Sequence, residues 1–164
     1  MRTNNSKVKN VIISVYFILI LTAITTATFS SFFKDITGSP FLTVGIIISF
    51  FLFLLVILYW IARYFEYDSD GLNIVITNRG LLLADYFNYR EHQIEFEKEN
   101  LISFKINNYI LYKTLVVNFK NSRGSKRREV FNITLVSKKK RKYIKQSLSK
   151  MIKYNRKLKL EINE

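Results

Sequence analysis

The 164-residue chain has no cysteine, one histidine, one proline and five glycines. Without cysteine there can be no disulfide framework, no thiolate metal site and no cysteine nucleophile. The single imidazole, His92, has Glu91 and Glu95 near it but no second histidine to share a metal. Carboxylates are scarce as well: 12 Asp and Glu stand against 26 Lys and Arg, a formal net charge of +14. Glycine-rich phosphate loops, nucleophile elbows and paired metal ligands are missing, so nothing in the sequence points to an enzyme or to a cofactor. What the chain does have is hydrophobicity, 49% of its residues, with its two longest uncharged stretches next to each other in the first 62 residues.

No residue between Lys9 and Lys34 is charged, and residues 11–29 are almost all Ile, Leu, Val, Phe, Ala and Thr. A second uncharged run covers residues 41–62, after Gly38, Ser39 and a Pro40 suited to a first helical turn. Each meets the roughly 20 apolar residues needed to cross a bilayer core. Tyr59 and Trp60 close the second run at the depth where amphipathic aromatics anchor. Arg2, Lys7 and Lys9 flank the first span, Lys34 and Asp35 cancel in the 30–40 connection, and Arg63 opens a basic region. That bias predicts an integral membrane protein with residues 1–10 and the C-terminal region both cytoplasmic and only the short 30–40 loop outside. Small residues four apart, Ala23 and Ala27, Thr22 and Thr26, Gly45 and Ser49, would allow close helix approach. A cleaved signal peptide over residues 1–27 is the alternative, although the apolar run exceeds the roughly 7–15 residues of such segments.

From Tyr64 the hydrophobic period becomes alternating, the pattern of half-buried strands. Strands are expected at 64–69, 72–77, 81–87, 94–97, 102–106, 115–119 and 131–135, with Asp70-Gly71 as a two-residue hairpin turn. Ile144, Leu148, Met151 and Ile152 then share one helical face behind a Ser137 N-cap. Residues 155–164 read as a basic tail that frays. This order of elements after a two-span hairpin, with the Tyr67, Asp68, Asp70, Gly71, Leu72 turn and the helix after Leu135, resembles the bacterial pleckstrin-homology-like (PH-like) membrane proteins. The resemblance covers residues 64–154 and implies an α+β membrane protein of the bacterial cytoplasmic membrane. Its two transmembrane helices would precede a seven-stranded, partly open β-barrel capped by the C-terminal helix. It also implies a binding or scaffolding module, not an enzyme. Lipid-binding members use a basic loop between their first two strands; here that loop, Asp68 to Gly71, is acidic, so the usual phosphoinositide site does not carry over.

Residues 63–119 hold six basic and eight acidic side chains, whereas residues 120–160 hold sixteen basic and one acidic. The excess charge thus belongs to one hairpin, with Arg123, Lys126, Arg127 and Arg128, and to one helix start, with Lys138, Lys139, Lys140, Arg141, Lys142 and Lys145. Cations at a helix N-terminus oppose its dipole by roughly 0.3–1 kcal/mol each, so the fold alone gives no reason to collect them there. Anionic lipids of the inner leaflet are the expected partner, each cation gaining about 1 kcal/mol near such a surface. A solvated charge run that only enforces topology, and nucleic-acid binding, are the alternatives. Tyr86, Phe87, Tyr89, Tyr109 and Tyr112 form a candidate protein-binding aromatic set for a complex partner or a second copy, or else anchor the barrel at the interface. Glu95, Glu97 and Glu99 alternate along one strand as an acidic, solvated face.

Overall fold

The computed structural model describes residues 1–29, 38–81 and 92–161 and divides into two units: Lys7–Ala62, and Met1–Ser6 together with Arg63–Glu164.

The first unit is a pair of helices, α1 (Lys9–Thr28) and α2 (Pro40–Ile61), each within two residues of the expected span. Both are long and apolar enough to cross a membrane. Large apolar side chains stand exposed on their surfaces, among them Phe17, Phe41, Phe53 and Trp60, a display suited to an apolar surrounding. The hydroxyls on α1 suit the same environment: Thr22, Thr25, Thr26 and Thr28 each donate to the carbonyl four residues back, at 2.7–2.9 Å. A hydroxyl satisfied within its own helix needs no water. Ile12 and Thr43 are buried within this unit. On α2 the half-buried positions Val44, Ile47, Phe51, Leu54 and Leu58 recur every three or four residues, while Gly45 and Ser49 are exposed. A stripe of larger side chains is therefore covered, not the small pair.

The second unit contains seven strands among the described residues, in two antiparallel sheets. Sheet A runs β1 (Arg2–Asn4), β2 (Arg63–Asp68), β3 (Asn73–Gly80), β4 (His92–Glu97); sheet B runs β5 (Leu101–Asn108), β6 (Lys113–Lys120), β7 (Lys126–Asn132). The expected barrel is not closed: β4 passes into β5 through a 3₁₀ turn at Lys98–Asn100, and no ladder joins the sheets among the described residues. The strand count of seven is reached differently from the sequence reading. The expected strand at 81–87 falls, apart from a buried Leu81, outside the described residues. Its place in the count is taken by β1, which precedes both spans yet pairs Arg2 with Asp68 and Asn4 with Glu66. Asn5 extends this pairing: its side chain donates to the Arg63 carbonyl and accepts from the Phe65 N–H, both at 2.9 Å.

Alternation places Phe65, Tyr67, Ile74, Ile76 and Phe96 of sheet A against Leu115, Val117, Phe119 and Phe131 of sheet B, all in one core. The Phe96 and Phe119 rings stack across it at 4.3 Å. Helix α3 (Lys138–Glu161) adds Ile144 and Leu148, which are completely covered. Each contributes roughly 1.5–3 kcal/mol by leaving water. Ser137 caps the helix through the Lys140 N–H at 3.4 Å. The helix continues through the segment read as a tail, because Asn155 is buried and donates to the Lys98, Glu99 and Leu101 carbonyls. β7 stops at Asn132, earlier than expected. Ile133 is in the core as expected, but Leu135 is half-buried in the following turn and Val136 fills the core in its place. The β2–β3 connection is also wider than a two-residue turn; Asp68 accepts the Asp70 N–H at 2.9 Å and Gly71 takes φ +66°, a conformation open to glycine.

Around β1 the polar contacts are organised by Glu66, which accepts from Arg2 at 2.6 Å and from the Tyr64 hydroxyl at 2.7 Å. Burial alone would raise the Glu66 carboxyl, but those two hydrogen bonds and the charge of Arg2 together outweigh it and hold the group below the usual carboxylate range. The same burial, with the hydrogen bond to Glu66, pushes the Tyr64 hydroxyl up to about 12.

Candidate functional site

β7 and α3 are joined by a tight turn, Ile133 donating to the Lys113 carbonyl and Lys113 to the Thr134 hydroxyl. The first turns of α3 therefore lie beside the turn end of the β5–β6 hairpin, where Asn108 pairs with Lys113. Between them is a groove of about 770 Å³, open to solvent and floored in part by Phe104 and Ile106. Six cations line it: Lys105 and Lys113 from the hairpin, and Lys138, Arg141, Lys142 and Lys145 from the helix. No carboxylate is among its lining residues, and the first turn of α3 carries none. The cations sit with the positive end of the helix dipole, so the unliganded groove is electrostatically unfavourable. Arg141 is partly held by its hydrogen bond to the Val136 carbonyl at 2.7 Å, while Lys138, Lys142 and Lys145 are exposed.

The cations that form one run in the sequence do not form one patch. Four of the six expected on the helix line the groove. Lys140 turns away to the Asn4 carbonyl, fastening β1 to the helix, and Lys139 lies over the Tyr143 ring at 6.0 Å. Arg123, Lys126, Arg127 and Arg128 are exposed near the β6–β7 turn, at the other end of β6 from Lys113. Along a strand rising about 3.4 Å per residue, the ends of β6 are roughly 24 Å apart. Lys105 and Lys113, which sequence reasoning left out, enter because strand pairing sets Asn108 opposite Lys113 and presents both edges of that hairpin to the helix. An isolated lysine in a strand gives no local signal of this kind.

Of the aromatic set, Tyr86, Phe87 and Tyr89 lie outside the described residues. Tyr109 and Tyr112 close the β5–β6 turn: the Tyr109 N–H donates to the Tyr112 carbonyl at 2.9 Å and their rings stack at 4.5 Å. His92 is placed against sheet B, stacked on Phe131 at 4.8 Å with its Nε2 3.0 Å from Glu129. Glu95 accepts from Asn73 at 2.7 Å on the outer face of sheet A. Groups of three or more metal-ligating side chains are not found among the described residues. Comparison with protein-family models, with curated proteins and with solved structures finds no match to this chain, so the chemistry of the groove is argued from its own residues.

Proposed function

We propose that this protein is a membrane-anchored binding module whose folded unit holds the anionic headgroups of the lipid leaflet on which it rests. The observation that carries the reading is the groove, six cations without a carboxylate on a partly apolar floor, which is complementary to a phosphate attached to a lipid glycerol. Four-plus-three antiparallel strands with a C-terminal helix on the core support a PH-like fold in which the strand ahead of the spans completes one sheet. Pairing of residues 2–4 with residues 66–68 returns the two ends of the helical hairpin to one folded unit. The excess of Lys and Arg in that unit favours the cytoplasmic side.

The test uses purified full-length protein in a neutral detergent, titrated with short-chain phosphatidylglycerol and, in parallel, with phosphatidylcholine and inorganic phosphate. Phosphatidylglycerol is expected to bind in a salt-sensitive way and phosphatidylcholine weakly; binding of inorganic phosphate alone would identify a free-anion site. Lys142→Ala with Lys145→Ala removes two cations worth about 1 kcal/mol each, a loss of roughly 30-fold. Arg127→Ala with Arg128→Ala, at the other end of β6, leaves the affinity unchanged. Equal losses from both pairs would overturn the assignment to the groove.

A further inference from the structure

Four consecutive apolar or aromatic residues form the tip of the β5–β6 hairpin: Tyr109, Ile110, Leu111 and Tyr112, with 49%, 102%, 64% and 45% of their surface exposed. Single exposed hydrophobes are ordinary on a protein surface, but a contiguous projecting group marks a contact surface. The tip is already shaped, by the Tyr109–Tyr112 hydrogen bond and by the stacked rings, so a contact does not have to order it first. Its order along the chain is also that of a membrane interface: two tyrosines, which favour the headgroup level, on either side of two aliphatic side chains, which favour hydrocarbon.

Hydrogen bonds within the folded unit place the neck of this tip, at Lys113, beside the points where the chain leaves for its helices. Asn78 donates to both the Tyr64 and the Asn132 carbonyls, and the next residue, Ile133, donates to Lys113. On the other side, Lys140 reaches the carbonyl of Asn4. Arg63, two residues after the end of α2, and Ser6, three residues before α1, thus belong to the same corner as the tip. Next to the tip stand the six groove cations, with Lys113 the residue immediately after Tyr112. A second copy presenting the same face would meet like charge; an anionic leaflet would meet its complement.

We infer that the Tyr109–Tyr112 tip inserts into the interfacial layer of the membrane that the helices span. The inference rests on the groove reading only for its flanking cations; the insertion of Ile110 and Leu111 is a separate claim.

Because the chain lacks cysteine, one introduced thiol can carry an environment-sensitive fluorophore without background labelling. Ile110→Cys, Leu111→Cys and, as a reference at the β6–β7 turn, Ser122→Cys are labelled in the full-length protein. Each is reconstituted into phosphatidylcholine vesicles with and without phosphatidylglycerol, with an aqueous quencher on both sides of the membrane. Insertion predicts aqueous quenching several-fold weaker at positions 110 and 111 than at 122, and strong quenching by lipids carrying a shallow nitroxide. The inference is overturned by equal aqueous quenching at all three positions. It is also overturned by protection that follows protein density and resists the nitroxide lipid, which would mean that protein covers the tip. Protection in neutral as well as anionic vesicles supports insertion even if the phosphatidylglycerol titration fails. Free access at 110 and 111 with that titration intact sinks insertion alone.

Discussion

Asn5 is the residue at which a segment ahead of the first span is fastened to a domain that follows the second, and replacing it should have a large, localised effect. Its side chain is 2% exposed and makes two hydrogen bonds of 2.9 Å, as donor to the Arg63 carbonyl and as acceptor from the Phe65 N–H. Asn5→Ala removes both and takes from the Phe65 N–H its side-chain acceptor, at a residue with no exposed surface. A lost intramolecular hydrogen bond costs about 1 kcal/mol and a stranded buried donor about 1–3 kcal/mol, so the expected loss is about 2–4 kcal/mol. For a unit of about a hundred residues, at about 4 °C per kcal/mol, the melting temperature should fall by about 8–16 °C. Near-ultraviolet circular dichroism of the detergent-solubilised protein follows the buried Tyr67 and is insensitive to helical spans that stay folded. Asn5→Asp, which keeps the acceptor and loses the donor, should fall between wild type and Asn5→Ala. Ser122→Ala in the exposed β6–β7 turn should stay within about 0.5 kcal/mol. Should Asn5→Ala melt together with Ser122→Ala, the strand ahead of the spans contributes nothing to the folded unit and the reasoning fails.

The carboxyl of Glu66 is held below its ordinary range, so its contribution is complete above an unfolded value of about 4.3 and is lost as pH falls through the lower folded value. Melting temperatures of wild type and Glu66→Gln should therefore converge as the pH drops below about 4.3; a constant gap would dissociate Glu66 from the Arg2 and Tyr64 contacts. Because β1 and β2 are antiparallel neighbours, the two helices occupy the position of a hairpin loop. Replacing residues 8–62 with a short Asn-Gly-containing turn should give a water-soluble protein that keeps the near-ultraviolet signal. A product that is soluble but lacks that signal would show that the second unit depends on its helices.

The two apolar helices, each long enough to cross a membrane, were legible because the requirement is local: about 20 uncharged residues suffice whatever the rest of the chain does. The alternating strands, the Ile144–Leu148 stripe and the Ser137 cap were legible for the same reason, since each is a pattern within a few neighbouring residues. β1 was not, because three residues carry no readable period and their partner lies more than sixty positions away. Nor were the asparagines that hold the unit together. Asn5, Asn78 and Asn155 look like ordinary polar residues, and each acts on backbone groups that only folding brings within reach.

Counting along the chain located the two longest apolar runs and the excess charge, because counting needs no contacts. Which cations act together was decided by the tertiary structure. Residues 123–128 and 138–145 are neighbours in sequence, but β6 has a length, and its two ends cannot share one ligand. In the same way, strand pairing brought Lys105 and Lys113 to the helix and left Tyr109 to Tyr112 projecting beside them. The sign of the charge was a property of the sequence, whereas the shape of the surface that presents it came from strand register and from the packing of one helix.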